Sequence, residues 1–201
     1  YNSLLNFCIR RMNGGDNSFA RHYIEISQQQ IKSGMLLEDG TLTPGRYKNI
    51  VAAGLRIQKQ EWTLNFIEEF KQYIPTDSRQ NAYTFCLASW HFECGNHEKT
   101  HELLIGIELE DTLQTTSYKN LFLRTLYATD NELLTSFADA YLVFLNRKSD
   151  LTAVKRKPMV SFVRAVKKLG NLLSTDNDGL EKLEANIVAD KTIIQKNWLL
   201  E

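Results

Sequence analysis

Apolar residues recur at three- and four-residue steps along almost the whole chain, the period of helices that bury one face. Leu4, Leu5, Cys8, Ile9 and Met12 form the first stripe, which Gly14-Gly15 ends. Asp16 or Ser18 can cap a second helix that runs through Phe19, Tyr23, Ile26 and Ile31 to Gly34. The stretch "GMLLEDGTLTPG" reads as the longest loop, and Thr43 before Pro44 as a helix start, a capping hydroxyl followed by proline in the first turn. Beyond it the pattern predicts helices at 44–58, 60–73, 78–94, 97–107, 114–129, 131–147, 156–174, 178–188 and 190–200. "YLVFLN" is apolar enough for a strand, but Phe137, Tyr141, Phe144 and Leu145 continue a helical stripe. The expectation is an all-α fold, one domain over 1–201.

Short connections between helices of this length imply antiparallel hairpins. Turns placed at Gln58, Gly95 and Asn131 are 37 and 36 residues apart. In the middle hairpin Leu87-Ala88 sets a large residue before a small one, and His91 follows at a ring position. Gly95 makes the turn, His97 takes the next ring position, Thr100 is small and Leu104 large. In the first hairpin Tyr47, Ile50, Thr63, Ile67 and Pro75 keep that pattern, while Val51, Gly54, Gln58 and Phe70 depart from it. In the third, Leu123, Tyr127, Leu133 and Ser136 keep it, and Arg124 and Ala140 do not.

These residues resemble a degenerate tetratricopeptide repeat, whose period is about 34 residues. The resemblance covers three hairpins over 44–147, with a divergent hairpin at 1–34 and divergent helices at 153–201. The chain is also similar to large bacterial helical-repeat proteins without an assigned activity. The resemblance implies stacked hairpins in a right-handed α-α superhelix, with the first helix of each lining a concave face for a peptide or extended protein segment. Tyr83, Ser89, Arg124 and Thr125 are the partner-facing candidates it implies.

Composition narrows the classes. The 201 residues carry 24 basic and 24 acidic side chains, so no global field draws nucleic acid or anionic membrane. No uninterrupted apolar run is long enough to cross a bilayer. Three cysteines without a disulfide spacing point to a reducing compartment, the cytoplasm. A first residue of Tyr1 rather than Met suggests a piece of a longer protein.

One stretch carries the letters of a metal site. His97-Glu98-Lys99-Thr100-His101 fits H-E-x-x-H, in which two histidines one helical turn apart bind zinc and the glutamate activates its water. His97 and His101 would be ligands and Glu98 the base, with Cys94, His91, Glu108 or Glu110 as third ligand. Cys86 extends the set for a structural zinc, but on one helix Cys86, His91 and Cys94 point apart. Three features oppose the catalytic reading: Lys99 is charged, Leu104 replaces the glycine of the extended motif, and Gly95-Asn96 makes His97 open a helix. The hairpin register accounts for His91 and His97 as packing rings, so no metal or other cofactor is expected.

The neutral total conceals segregation. Six acidic residues and one lysine lie between Glu93 and Asp111. Arg147, Lys148, Lys155, Arg156, Lys157, Arg164, Lys167 and Lys168 stand against Asp150 alone in the following segment. Such a cluster can hold an anionic ligand, yet no aromatic platform is interleaved, which disfavours nucleic acid. Trp62, Trp90, Phe66, Phe70 and Tyr73 have core spacing, whereas Trp198 on the last helix either caps the array or awaits a partner. No phosphate loop, dinucleotide fingerprint or nucleophile motif is present, and adjacent Glu68 and Glu69 point in different directions. The sequence therefore favours a non-enzymatic module that binds a protein or peptide. A zinc hydrolase at His97–His101 and an anion-binding module at 147–168 are the alternatives.

Overall fold

The computed structural model describes residues 2–107, 112–172 and 176–201. The described residues fold into α1 (Asn2–Asn13), α2 (Ser18–Lys32), α3 (Pro44–Arg56), α4 (Gln60–Phe70), α5 (Thr76–Glu93), α6 (His97–Ile105), α7 (Thr112–Ala128), α8 (Leu134–Arg147), α9 (Ala153–Asn171), α10 (Asn177–Ala189) and α11 (Lys196–Leu200). A 3₁₀ turn, Lys71–Tyr73, follows α4. No strand occurs among them beyond the single bridge Glu38–Thr41. The protein is all-α, and its helices pack against their neighbours in sequence.

Local chemistry explains where helices stop. Gly15, Gly34, Gln58, Gly95 and Asp130 all take positive φ, and each follows a helix. In each case the next N–H returns to a carbonyl five residues back, as Lys59 to Gly54, Asn96 to His91 and Asn131 to Leu126 do. The left-handed residue's own N–H reaches three back, which completes the same C-terminal cap. Glycine takes this geometry freely, whereas Gln58 and Asp130 accept it at about 1 kcal/mol. The expected turns at Gln58 and Gly95 are thus left-handed residues, and the third lies at Asp130, one residue before the expected Asn131.

Starts are less uniform. Thr43 caps α3 as expected, its hydroxyl accepting from the Arg46 N–H at 3.3 Å with Pro44 behind it. Asp16 does not cap α2 directly. It lies two residues ahead, accepting from the Ser18 hydroxyl at 2.6 Å and from the Ser18 N–H. The helix expected over 190–200 is replaced by a turn and the short α11. The Asp190 carboxylate gathers the Thr192 N–H and hydroxyl and the Ile193 N–H, which ties the backbone into a turn instead of a helix.

The chain forms two compact units, Tyr1–Glu108 and Leu109–Glu201, where the sequence suggested one domain. Each has its own core, which is why the division falls where it does. In the first, Tyr23, Tyr47, Ile50, Ile67 and Ile74 are fully buried among α1–α5. In the second, Leu123, Leu126, Tyr141, Phe162 and Val166 form the centre of α7–α11.

Within the first unit, α3–α4 and α5–α6 are successive hairpins, and burial repeats between them at 37 residues. Val51 and Ala88, Leu55 and Phe92, Thr63 and Thr100, and Ile67 and Leu104 are all buried pairs at that offset. Small residues make the close crossings. A Cβ added at Gly54 would stand 2.3 Å from the Thr63 hydroxyl, and the Thr100 hydroxyl lies 3.3 Å from the Ala88 carbonyl oxygen. The third expected hairpin loses this register. The Asn131 side chain accepts from the Leu133 N–H and delays α8 to Leu134. Leu133 and Ser136, which keep the repeat pattern in the sequence, are exposed, and Ala138 takes the small buried position.

Candidate functional site

The best-built surface in the first unit comes from the two leading helices, α3 and α5, which pack directly on each other. The ammonium of Lys48 lies over the Phe85 ring at 5.9 Å. Arg56 is exposed over part of its length, yet crowding around its guanidinium lowers its pKa while Glu93 raises it. Both pairs are separated by 37 residues, so the helices run parallel with equivalent positions abreast. Ala52 and Ser89 are the equivalent pair between them, one helical turn from each. The result is a strip of two four-residue-spaced rows, Lys48-Ala52-Arg56 and Phe85-Ser89-Glu93, exposed or half-buried throughout. It offers an aromatic face, small residues along the middle and opposite charges at one end.

The four expected partner-facing residues divide. Ser89 belongs to this strip, with its hydroxyl donating to the Phe85 carbonyl at 2.8 Å. Tyr83 faces the other way, towards α4. Its hydroxyl donates to Glu68 at 2.9 Å, and the Lys71 ammonium stands 4.5 Å from its ring. Lys71, bonded to Glu68 at 2.6 Å, and then Tyr83 hold the Glu68 carboxyl below the usual range. Arg124 and Thr125 are corrections. Thr125 is fully buried and bonds back to the Leu121 carbonyl, while Arg124 is 8% exposed and stacks on Trp198 at 5.1 Å. Because α7 packs against both α8 and α9, its polar residues have an inward side.

The histidine and cysteine residues are distributed by packing. His97 is the first residue of α6, as the preceding Gly95-Asn96 requires, and its ring lies 4.8 Å from that of Phe92. His91 stands edge-on to Trp90 at 5.0 Å, and burial followed by the charge of Lys99 lowers its pKa. Cys86 is in the core, where burial pushes its thiol pKa far up, whereas Cys94 is half-buried. Glu98 is exposed, His101 is half-buried, and Lys99 pairs with Glu102 at 2.8 Å. Among the described residues no three His, Cys, Asp or Glu side chains are gathered to hold a metal ion. Glu108 and Glu110 lie outside the described residues.

The basic segment also separates on folding. Arg156 donates to the Lys148 and Leu151 carbonyls, both at 2.8 Å, and so closes the α8–α9 connection. Lys167 pairs with Asp139 at 2.6 Å, and Lys148 lies over Phe144. Arg147 and Lys155 are exposed, but Lys155 points about 160° away from Lys157 around α9. Lys157, Arg164 and Lys168 remain as an exposed row within about 40° of arc. Trp198 packs against Tyr127 and Phe162 and covers part of the second core.

The α2–α3 loop holds structure that the hydrophobic pattern does not disclose. Asp39 and Gly40 both take positive φ, and Glu38 and Thr41 exchange backbone hydrogen bonds across them at 2.9 Å, a tight two-residue hairpin. Leu36 and Leu42 on its two sides are buried, and the Leu42 N–H is held by the Tyr73 carbonyl. The signal was present as the dipeptide Asp39-Gly40. A cavity of about 370 Å³ opens between this loop, α1, α2 and the start of α3. Comparison of the chain with protein-family models, curated proteins and solved structures finds no match.

Proposed function

We propose that the chain is a non-enzymatic interaction module, similar in design to tetratricopeptide arrays, that holds an extended peptide segment along the α3/α5 strip. The observation behind this reading is the 37-residue register, which sets equivalent residues of two leading helices abreast. A surface of this kind presents side chains at a regular spacing, which suits an extended ligand better than a compact one. Phe85 offers a ring for an apolar or cationic ligand side chain, and Lys48, Arg56 and Glu93 offer charge complementarity at defined positions. A binding role within the cytoplasm accords with the free thiols.

Peptides selected by display on the immobilised chain test this. Ala52→Arg adds bulk and charge to the middle of the strip from an exposed position, so selected peptides should lose at least about tenfold in affinity. Glu98→Arg, on an exposed position of α6, should leave binding unchanged. Enriched peptides that bind the Ala52→Arg and native chains equally would refute the assignment.

A second reading rests on the row Lys157, Arg164 and Lys168, which would attract an anionic ligand. Binding of a polyanion that is insensitive to salt, or to neutralising these three residues, would exclude it.

A further inference from the structure

We propose that Lys119 is a site of Nε-methylation, and that Phe137, Tyr141 and Phe144 form an aromatic cage suited to the methylated ammonium. The cage follows from helix spacing. The three rings stand at i, i+4 and i+7 of α8, within about 60° of arc, and Lys119 reaches them from the adjacent α7. Phe122 braces Phe137 edge-on at 4.9 Å, and the Tyr141 hydroxyl donates to Asn120 Oδ1 at 2.9 Å, so two of the walls are held in place.

The distances carry the assignment. Lys119 Nζ lies over the Phe137, Tyr141 and Phe144 rings, 5.1, 5.8 and 5.3 Å from their centroids. A methyl carbon on Nζ stands about 1.5 Å further out. Methyls directed at the rings would therefore meet the ring centres at about 3.6–4.3 Å, close to the contact distance of carbon on carbon. A bare ammonium does not fill that space. Among the described residues Lys48, Lys71 and Lys148 lie over one ring each, those of Phe85, Tyr83 and Phe144.

Charge chemistry agrees. A primary ammonium is strongly hydrated and carries three N–H donors, which ring faces serve poorly. Burial lowers the Lys119 pKa, a direction found at no other described lysine, and the second cation on the Phe144 ring is Lys148. Methylation keeps the charge but removes donors and weakens hydration, so the modified side chain suits the cage better. In the transfer itself the neutral amine attacks the methyl carbon of a sulfonium donor on a separate methyltransferase. The C–S bond breaks, a thioether leaves, and the surplus proton passes to solvent. Lys119 is half-buried, so its side chain is not sealed from that enzyme. The site lies within the second unit and does not depend on the peptide-binding reading.

Two measurements test the proposal. A chain carrying Nε,Nε-dimethyllysine at 119, made by codon suppression, is compared with the native chain in urea denaturation. Its unfolding constant should be about fivefold lower, while the same exchange at exposed Lys157 should change nothing. Phe144→Leu and Phe137→Leu, each at a half-buried ring, remove one wall and should cut that gain to about twofold or less. Peptide mass spectrometry of the chain isolated from its native cells should find methyl groups on Lys119. Equal or lower stability of the dimethylated chain, a gain kept in full by both wall variants, or a wholly unmodified Lys119 in the native-source protein would each overturn the assignment.

Discussion

Replacing Gly54 by alanine puts a methyl group where the Thr63 hydroxyl already stands. The built Cβ lies 2.3 Å from Thr63 Oγ1 and 3.4 Å from both Thr63 Cβ and the Trp62 ring. Thr63 is fully buried, so its hydroxyl can move aside only by displacing packed neighbours. In an open helix the exchange would stabilise by about 1 kcal/mol through helix propensity. Here overpacking costs about 1–3 kcal/mol and outweighs that gain, for a net loss near 1 kcal/mol. In a Thr63→Ala background the obstructing hydroxyl is gone and the remaining contacts are of ordinary length. The same Gly54→Ala exchange should then stabilise by about 1 kcal/mol, a coupling of about 2 kcal/mol between the two sites. Gly45→Ala, with nothing within 4 Å, is the control and should stabilise in either background. Urea denaturation followed by circular dichroism reads all five variants. A Gly54→Ala gain equal to that of Gly45→Ala in the native background would refute the close crossing of α3 and α4.

Further consequences follow from single contacts. Disulfide-exchange labelling of the native protein at pH 8 should modify Cys94 alone, because Cys8 and Cys86 are buried and burial disfavours their thiolates; fast labelling of Cys86 before unfolding would contradict the core. Arg156→Ala should destabilise by about 1–2 kcal/mol in denaturation, since two carbonyls of the α8–α9 connection lose a charged donor, and a neutral effect would deny that role. Hydrogen bonds from Thr192, first its hydroxyl and then its N–H, hold the Asp190 carboxyl below the usual range. A lowered folded-state pKa contributes stability above the unfolded value near 4, and that contribution is lost as pH falls through the folded value. The stability difference between native and Asp190→Ala chains should accordingly be constant above about pH 5 and shrink towards pH 3 in pH-resolved denaturation.

Much of the helical plan was legible because turns and stripes are local. Gly95 and Thr43-Pro44 mark their helix boundaries through backbone chemistry that needs no tertiary contact. The buried residues of the α3–α6 hairpins followed from their spacing for the same reason. What was not legible depends on distance through space. Arg124 and Thr125 look solvent-facing by sequence, but α7 is enclosed by two neighbours and Thr125 satisfies its hydroxyl on its own helix. The third hairpin departs from register because one side chain, Asn131, captures the Leu133 N–H. The basic segment reads as one patch along the chain, yet helix geometry turns Lys155 away and ion pairing absorbs Lys167. H-E-x-x-H could be weighed from its flanks alone, since Gly95-Asn96 fixes where α6 begins. The α2–α3 cavity escaped notice although Asp39-Gly40 announced the hairpin, because its walls come from α1, α2 and α3 together.

The central claim is that α3 and α5 run parallel with residues 37 apart abreast. Proton–proton contacts of the Phe85 ring, measured by NMR on the isotope-labelled chain, test it most directly. The account predicts contacts to the Lys48 side chain and ring-current shifts of its terminal methylenes, as the 5.9 Å ammonium-to-ring distance requires. Contacts to α3 residues a helical turn away, with none to Lys48, would contradict the register and the strip built on it.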